Sequence, residues 1–257
     1  MPYLEFHVAD HCNLNCRACE HYSGLVKEPH FTNLKKFTRD FEQLHKFIDD
    51  IGYIRILGGE PLLNPEINEY VKLSRRLYPQ AVIRVVTNAL LLPKMPDKFF
   101  KTLRQNDVSI HISFYPPAQS KIEQITKLLT EKKVEFFVSP LTKTFTVKQT
   151  LNPHNEARKI FLKCFQASCR NLYDGKIAAC FLPFTTKYFN AYYNKNLPED
   201  GALDLYEKDL TTEKLKKFLS VPFERCRYCT APVPIKWGTI SQPSPITDWT
   251  NDHLPKN

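Results

Sequence analysis

Glycine is scarce in this sequence, with 7 residues among 257, which excludes the flexible low-complexity segments that glycine-rich chains form. No segment approaches the roughly 18 consecutive apolar residues that a membrane-spanning helix needs. Residues 1–8 also lack the basic region and apolar run of a secretory signal. We therefore expect a soluble, cytoplasmic protein that has no contact with a membrane.

The net charge is +9 and is distributed along the whole chain. A dense basic run interleaved with aromatic residues is missing, which disfavours nucleic acid as a partner. The simplest interpretation is a solvated, lysine-rich surface. The alternative is a small-molecule substrate that is anionic or sugar-like, such as a nucleotide sugar.

The eight cysteines are the most informative feature of the composition. Disulfides do not persist in a reducing cytoplasm, so cysteines that fall into spaced groups indicate a metal site there. The first group is Cys12, Cys16 and Cys19, and the second is Cys164, Cys169, Cys180, Cys226 and Cys229.

The first half of the chain alternates predicted strands with amphipathic helices. Strands are predicted at residues 4–8, 53–57, 82–86, 108–113 and 134–138, and helices at 34–48, 64–77, 97–104 and 120–131. This order predicts an α/β fold, with a parallel sheet and crossover helices that form a partial (β/α) barrel.

The pattern changes after residue 138. Residues 139–155 have no clear period and are predicted to be a linker, with a domain boundary near residue 150. We expect a core domain at 1–150 and a smaller α+β domain at 151–257. The Asp174-Gly175 pair predicts a tight hairpin turn in that second domain.

Three cysteines within eight residues directly follow the first predicted strand. Thiolates are the ligands that iron–sulfur clusters need, and a cubane held by three of them keeps one iron open for another ligand. A structural zinc site is the alternative, with His11 or His21 as the fourth ligand.

The spacing Cys12-x-x-x-Cys16-x-x-Cys19 resembles the signature of the radical S-adenosylmethionine (SAM) superfamily. The resemblance implies that these residues hold a [4Fe–4S] cluster and that S-adenosyl-L-methionine binds its open iron. A reductant such as flavodoxin or ferredoxin would then drive cleavage of SAM to a 5′-deoxyadenosyl radical. One departure is Ala18, where the family usually has an aromatic residue; we expect Tyr22 to fill that space.

Gly58-Gly59-Glu60-Pro61 follows the second predicted strand and resembles the GGEP motif of the same family. Two glycines allow the backbone to approach a ligand. Backbone carbonyls and the Glu60 carboxylate can accept hydrogen bonds from the SAM ammonium. Alone, the same four residues would indicate only a turn.

Two further positions lie where strands are predicted to end. The family commonly has Thr-Asn-Gly at the end of the third strand, and this chain has Thr87-Asn88-Ala89 there. Related enzymes place a polar side chain on the SAM ribose at the position of Ser113. The resemblance therefore implies cofactor contacts for Asn88 and Ser113; ordinary strand-end turns are the alternative.

The second cysteine group resembles the twitch extension, a short relative of the SPASM domain that carries an auxiliary [4Fe–4S] cluster. The ligands carried over by the pattern are Cys164, Cys180, Cys226 and Cys229. Cys169 is left over, although the predicted hairpin would place it across from Cys180. We prefer Cys164 as the ligand and leave Cys169 as an alternate ligand, a hydrogen donor to a substrate radical, or an inert buried thiol.

In size and layout the chain is similar to 2-deoxy-scyllo-inosamine dehydrogenases, which implies an oxidoreductase, or a neighbouring epimerase, acting on a small carbohydrate-like substrate. Peptide-modifying, enzyme-activating and RNA-modifying relatives remain alternatives. A non-catalytic iron–sulfur or zinc protein is the alternative of another class. The general base stays open among five candidates: His7, His11, His21, His111 and Glu20.

Overall fold

The computed structural model describes residues 3–252. Five parallel strands form its first half: β1 Tyr3–Ala9, β2 Tyr53–Gly58, β3 Val82–Thr87, β4 Val108–Ile112 and β5 Phe136–Val138. The helices between them are α1 Leu34–Phe47, α2 Ile67–Leu77, α3 Asp97–Gln105 and α4 Ile122–Glu131. The predicted α/β fold with a partial (β/α) barrel is confirmed.

Side chains along β1 alternate between the face that packs against the helices and the face that lines the barrel interior. Leu4 and Phe6 are fully buried on the helix side, and the Phe6 ring packs 4.5 Å from that of Phe37 in α1. Successive strand residues point to opposite faces, so Glu5 and His7 project into the barrel interior. The interior is therefore lined by polar groups as well as apolar ones.

Helix α2 begins later than predicted. The sequence predicts this helix from residue 64, but the helix begins at Ile67. Asn64 instead accepts a hydrogen bond from the Glu66 backbone N–H at 2.8 Å and donates one from its amide to the Val8 carbonyl at 2.7 Å. The side chain therefore fastens the loop after β2 to the end of β1.

The main sheet continues into the second half of the chain. Strand β7 Arg170–Tyr173 pairs in parallel with β1, followed by β8 Lys176–Ala178 and β9 Ala202–Asp204. The predicted hairpin is confirmed: Asp174 and Gly175 have φ values of 52° and 76°, as a two-residue turn of this kind requires.

The linker predicted for residues 139–155 is wrong. Residues Thr144–Gln149 form strand β6, which pairs antiparallel with β10 Cys229–Lys236. Residues 144–147 are all β-branched or aromatic, which favours a strand, but the partner strand lies some eighty residues later, beyond any local pattern. The domain boundary near residue 150 stays a prediction. The outermost residues of the two predicted domains, 1–2 and 253–257, lie outside the described residues.

Three helices complete the second half: α5 Ala157–Lys163, α6 Leu182–Tyr193 and α7 Thr212–Phe218. Among residues 3–252, no helix combines the length and apolar character needed to cross a bilayer.

Candidate active site

The first cysteine loop leaves β1 at the edge of the sheet where the parallel strands end. Cys12, Cys16 and Cys19 line one cavity of about 520 Å³. The loop is anchored at its centre, because the Arg17 backbone N–H donates to the Gly238 carbonyl at 2.8 Å and Cys16 forms a β-bridge with Thr239. The three thiols are thus presented to the same space by a fixed backbone.

The three thiols also lie near enough to affect one another. Burial raises the pKa of Cys12, and the negative charges of Glu60, Cys19 and Cys16 raise it further. Burial, with Cys19 beside it, raises the pKa of Cys16 to about 12. Buried thiols grouped in this way lose their protons when a bound metal compensates the charge. The donor set therefore fits a thiolate-ligated cluster.

Within residues 3–252 no three His, Cys, Asp or Glu side chains converge as they would around a single metal ion. A cubane cluster is different, because each thiolate binds a separate iron atom and the sulfurs lie farther apart. The spread of Cys12, Cys16 and Cys19 around one cavity is compatible with that wider arrangement.

The glycines after β2 permit a close approach between two loops. The Gly59 backbone N–H donates to the Ala9 carbonyl at 2.7 Å. A Cβ atom on Gly58 would lie 2.1 Å from the Ala9 oxygen, and one on Gly59 would lie 2.2 Å from the His11 oxygen. Both glycines also line the cavity with the first cysteines. Only glycine fits where the two loops meet.

Replacing Gly59 with alanine is expected to displace the cysteine loop, because the clash is with backbone atoms that cannot rotate away. We expect a loss of roughly 1–3 kcal/mol in folding stability and a lower iron content after reconstitution. The matched control is Gly238→Ala, since a Cβ atom there meets nothing within 4 Å. Thermal unfolding and iron analysis measure both variants; equal behaviour of the two would contradict the account.

Glu60 is fully buried and turns its carboxylate into the protein. The carboxylate accepts hydrogen bonds from Thr87 Oγ1 at 2.7 Å, the Asn88 N–H at 2.9 Å and the Leu62 N–H at 3.0 Å. Burial raises the pKa of Glu60 to about 7, although these donors oppose the rise. Pro61 begins the short turn Pro61–Leu63, which Glu60 caps. Glu60 thus positions the ends of β2 and β3, and its contact with a cofactor stays a prediction.

Asn88 and Ser113 both line the first cavity. The Asn88 amide donates to Asn13 Oδ1 at 2.7 Å, within the cysteine loop. The backbone N–H of Ser113 donates to the Thr87 carbonyl at 2.9 Å, which fixes the end of β4 beside the end of β3. Both residues thus border the same space as the first cysteines, and their contacts with a cofactor stay predictions.

The second cysteine group surrounds a different cavity of about 530 Å³, which is lined by Cys164, Cys180, Cys226 and Cys229. Burial raises the pKa of Cys180 well above its usual value, and Cys229, Cys226 and Cys164 add to that rise. The four thiols come from four separate elements: the end of α5, the segment after β8, the turn Glu224–Tyr228 and the start of β10. This donor set also fits a thiolate-ligated cluster.

Cys169 faces the first cavity, the one that holds Cys12, Cys16 and Cys19. Burial and the nearby Glu5 carboxylate raise its pKa to about 12. The turn Phe165–Ser168 ends at Cys169 and directs this side chain away from the second cavity. The structure therefore groups Cys164, rather than Cys169, with the other three thiols.

Two ion pairs that sequence reasoning missed face the first cavity. Arg55 Nη1 lies 2.8 Å from Glu5 Oε1, and Lys148 Nζ lies 2.5 Å from Glu20 Oε1. Arg55 occupies an inward position of β2, so strand alternation could have found it. Glu20 and Lys148 also line the second cavity, which places this pair on the wall between the two.

The histidines proposed as bases differ in their surroundings. His21 lines the first cavity, and burial lowers its pKa to about 3. Burial and Arg55 lower the pKa of His111 to about 4. His7 is buried beside Asp10 at 3.4 Å, and His11 Nδ1 lies 3.1 Å from the His30 carbonyl. Among the five candidates only the Glu20 carboxylate reaches both cavities.

The position expected for Tyr22 is wrong. Its ring packs against Phe189 and Trp249, at 5.5 and 5.7 Å, and its hydroxyl donates to Gln149. Tyr22 has a left-handed backbone conformation, φ 55°, which turns the side chain toward the second cavity. Tyr115 is one of the aromatic residues that line the first cavity with the three cysteines, together with Phe145, Phe165 and Phe181.

Comparison with known proteins supports these observations. A sequence model of the Radical SAM superfamily matches residues 7–137. The chain is 32% identical to a GTP 3′,8-cyclase of Sulfurovum over 102 residues, 38% of this chain and 30% of that protein. It is 31% identical to a GTP 3′,8-cyclase of Nautilia profundicola over 126 residues, which are 48% of this chain and 39% of that protein. The chain therefore spans less than half the length of these curated relatives.

BtrN in complex with AdoMet and 2-DOIA is among the solved structures that resemble the chain over nearly its whole length. It covers 89% of this chain and 92% of its own, with a TM-score of 0.56 and 17% identity. At that identity the likeness concerns the fold alone.

Proposed function

The chain belongs to the radical SAM superfamily, and from that premise we propose that it is an oxidoreductase or epimerase of a small carbohydrate-like substrate. The observation that carries the proposal is the arrangement of two cysteine groups around two cavities that share the wall of Glu20 and Lys148. Such a wall is where a substrate could contact one cofactor and pass an electron to another.

For the first cavity we propose that Cys12, Cys16 and Cys19 hold a [4Fe–4S] cluster. With SAM bound, a reductant such as flavodoxin or ferredoxin would give that cluster the electron that cleaves SAM to methionine and the 5′-deoxyadenosyl radical. Gly58, Gly59, Asn88 and Ser113 line the same space and would hold SAM, while Glu60 and Pro61 keep this loop in place.

For the second cavity we propose an auxiliary [4Fe–4S] cluster of the twitch or SPASM type, held by Cys164, Cys180, Cys226 and Cys229. The mutual effect of these thiols on the pKa of Cys180 supports this ligand set. In a dehydrogenation, the substrate would lose a hydrogen atom to the 5′-deoxyadenosyl radical. It would then lose a proton to a base and one electron to the auxiliary cluster.

The charges of the first cavity bear on the substrate. Its two cations, Arg55 and Lys148, are each paired with a carboxylate. Paired groups can orient hydroxyl and amino groups but leave no excess positive charge for a polyphosphate. We therefore propose a sugar or aminocyclitol. The names of the curated relatives favour a second candidate, a guanosine triphosphate.

The substrate test uses the anaerobically reconstituted protein with SAM and reductant. Separate assays contain aminocyclitols and sugars, nucleotide sugars, GTP, or a peptide fraction, and 5′-deoxyadenosine is measured by mass spectrometry. A rise with the sugar fraction supports the proposal, and the changed metabolite identifies the reaction. A rise only with GTP or only with peptide overturns it in favour of that substrate.

Replacing Cys169 with alanine is expected to separate the two reaction types. An epimerase must return a hydrogen atom to its substrate radical, and Cys169 is the thiol in the first cavity outside the first cysteine group. If the enzyme is an epimerase, we expect product formation to fall at least about 100-fold while 5′-deoxyadenosine still forms. Ser168→Ala is the control, because Ser168 is an exposed neighbour. Unchanged product in Cys169→Ala would exclude the thiol as donor and favour dehydrogenation.

A further inference from the structure

Arg225 is fully buried immediately before the ligand candidate Cys226. Its guanidinium donates through Nη2 to Gln149 Oε1 and to the Tyr22 hydroxyl, and through Nε to Thr186 Oγ1 at 3.4 Å. The group also lies 5.7 Å from the centre of the Tyr228 ring. These partners are neutral, so they accept hydrogen bonds without balancing the positive charge.

No carboxylate in residues 3–252 forms an ion pair with this guanidinium, and Nη1 has no hydrogen-bond partner among the described residues. The nearby Asp200 carboxylate accepts the backbone N–H groups of Glu224 and Arg225. An unpaired buried charge is strongly unfavourable even after the protein relaxes. A negative charge is therefore missing from its surroundings.

The second cavity lies beside Arg225, where a negative charge would balance the guanidinium. Arg225 lines the second cavity with Cys226 and Cys229. Gln149, which accepts from Arg225, pairs directly with Cys229 across β6 and β10. A [4Fe–4S] cluster with four thiolates is net negative, and reduction adds one further electron.

We propose that Arg225 is a positioning residue of the second cluster, whose charge it balances and whose one-electron reduction it favours. The proposal rests on the proposed function, in which this cavity holds a cluster. The cation stabilises the more negative, reduced form most, so it raises the reduction potential. In the proposed dehydrogenation this makes the cluster a better acceptor for the electron that the substrate radical loses.

The test measures the reduction potential of the second cluster in the 257-residue chain. Cys12, Cys16 and Cys19 are replaced by alanine so that one cluster remains, and the titration with dithionite is followed by electron paramagnetic resonance. In Arg225→Met, reduction is expected to become at least about tenfold less favourable, which is a shift of about 59 mV to lower potential for one electron. Arg225→Lys keeps a charge and should restore most of the parent value.

Arg227→Met is the matched control. Arg227 directly follows Cys226, as Arg225 directly precedes it, but Arg227 is half-exposed and paired with Glu224 at 3.3 Å, so its removal should leave the potential unchanged. A further variant, Gln149→Glu, places a carboxylate against Arg225 and keeps the side-chain shape. It should lower the potential as Arg225→Met does, and it provides the test if Arg225→Met does not fold.

The outcomes distinguish the two proposals. A parent protein that binds about four iron atoms in the second site, with potentials unchanged in Arg225→Met and Gln149→Glu, overturns the role of Arg225 alone. A parent protein that binds no iron there overturns the auxiliary cluster and the role of Arg225 with it.

Discussion

Replacing Cys16 with alanine is expected to remove about four iron atoms per chain and to reduce SAM cleavage at least about 100-fold. Cys16 is buried in the first cavity, and its thiol is one of three that would hold the cluster. With two thiolates left, the cluster lacks a ligand and the open iron that binds SAM is lost. Iron analysis of the reconstituted protein and mass spectrometry of 5′-deoxyadenosine measure the two effects.

The control for this variant is Thr239→Ala. Thr239 bridges to Cys16 through the backbone, and its side chain is exposed, so the control should retain iron and activity. A Cys16→Ala protein that keeps its full iron content would remove this residue from the ligand set. It would also reopen the zinc alternative for the loop.

Replacing Cys226 with alanine is expected to lower the iron content from about eight to about four atoms per chain and to abolish product formation. Cys226 is buried in the second cavity and does not line the first. The first cluster should therefore persist, and SAM cleavage should continue without completed oxidation. Iron analysis, 5′-deoxyadenosine and product measured in the same sample separate these effects.

A paired comparison of Cys164→Ser and Cys169→Ser identifies the remaining ligand. The structure groups Cys164 with Cys180, Cys226 and Cys229, so Cys164→Ser should lose the second cluster and Cys169→Ser should keep it. The opposite pattern would show that Cys169 is the ligand and that the turn between them rearranges when the cluster binds.

Much of the fold and the first cysteine loop could be predicted because their signals are local. Leu4, Phe6 and Val8 alternate within one strand, and the three cysteines of the loop follow it within a few residues. The glycines at 58 and 59 were predicted to let the backbone approach a ligand, and that contact stays a prediction. The structure adds a close approach to the backbone of the cysteine loop, at Ala9 and His11.

Other features depend on contacts between distant segments and left no local signal. Strand β6 pairs with β10 across some eighty residues, and neither segment alone indicates its partner. Tyr22 faces the second cavity because of a left-handed backbone conformation that non-glycine residues seldom adopt. Arg225 is charged, and charged residues are usually exposed, so only the structure could reveal its burial.

The directions of the Cys164 and Cys169 side chains also could not be predicted from the sequence, although the two residues lie close together in the chain. Four residues lie between them in the sequence; the motif spacing favours Cys164, while the predicted hairpin kept Cys169 open as an alternate ligand. The turn Phe165–Ser168 between them directs one thiol to each cavity. Side-chain direction in an irregular segment depends on each backbone angle, which neither spacing nor composition determines.

The most direct test of the account is formation of 5′-deoxyadenosine by the wild-type protein. The chain is reconstituted anaerobically, its iron content is confirmed, and it is incubated with SAM, reductant and the sugar and aminocyclitol fraction. The account predicts 5′-deoxyadenosine that rises with this fraction and is absent in Cys16→Ala. If the iron-loaded protein forms none under any substrate condition, it is not a SAM-cleaving enzyme, and a non-catalytic iron–sulfur protein becomes the better description.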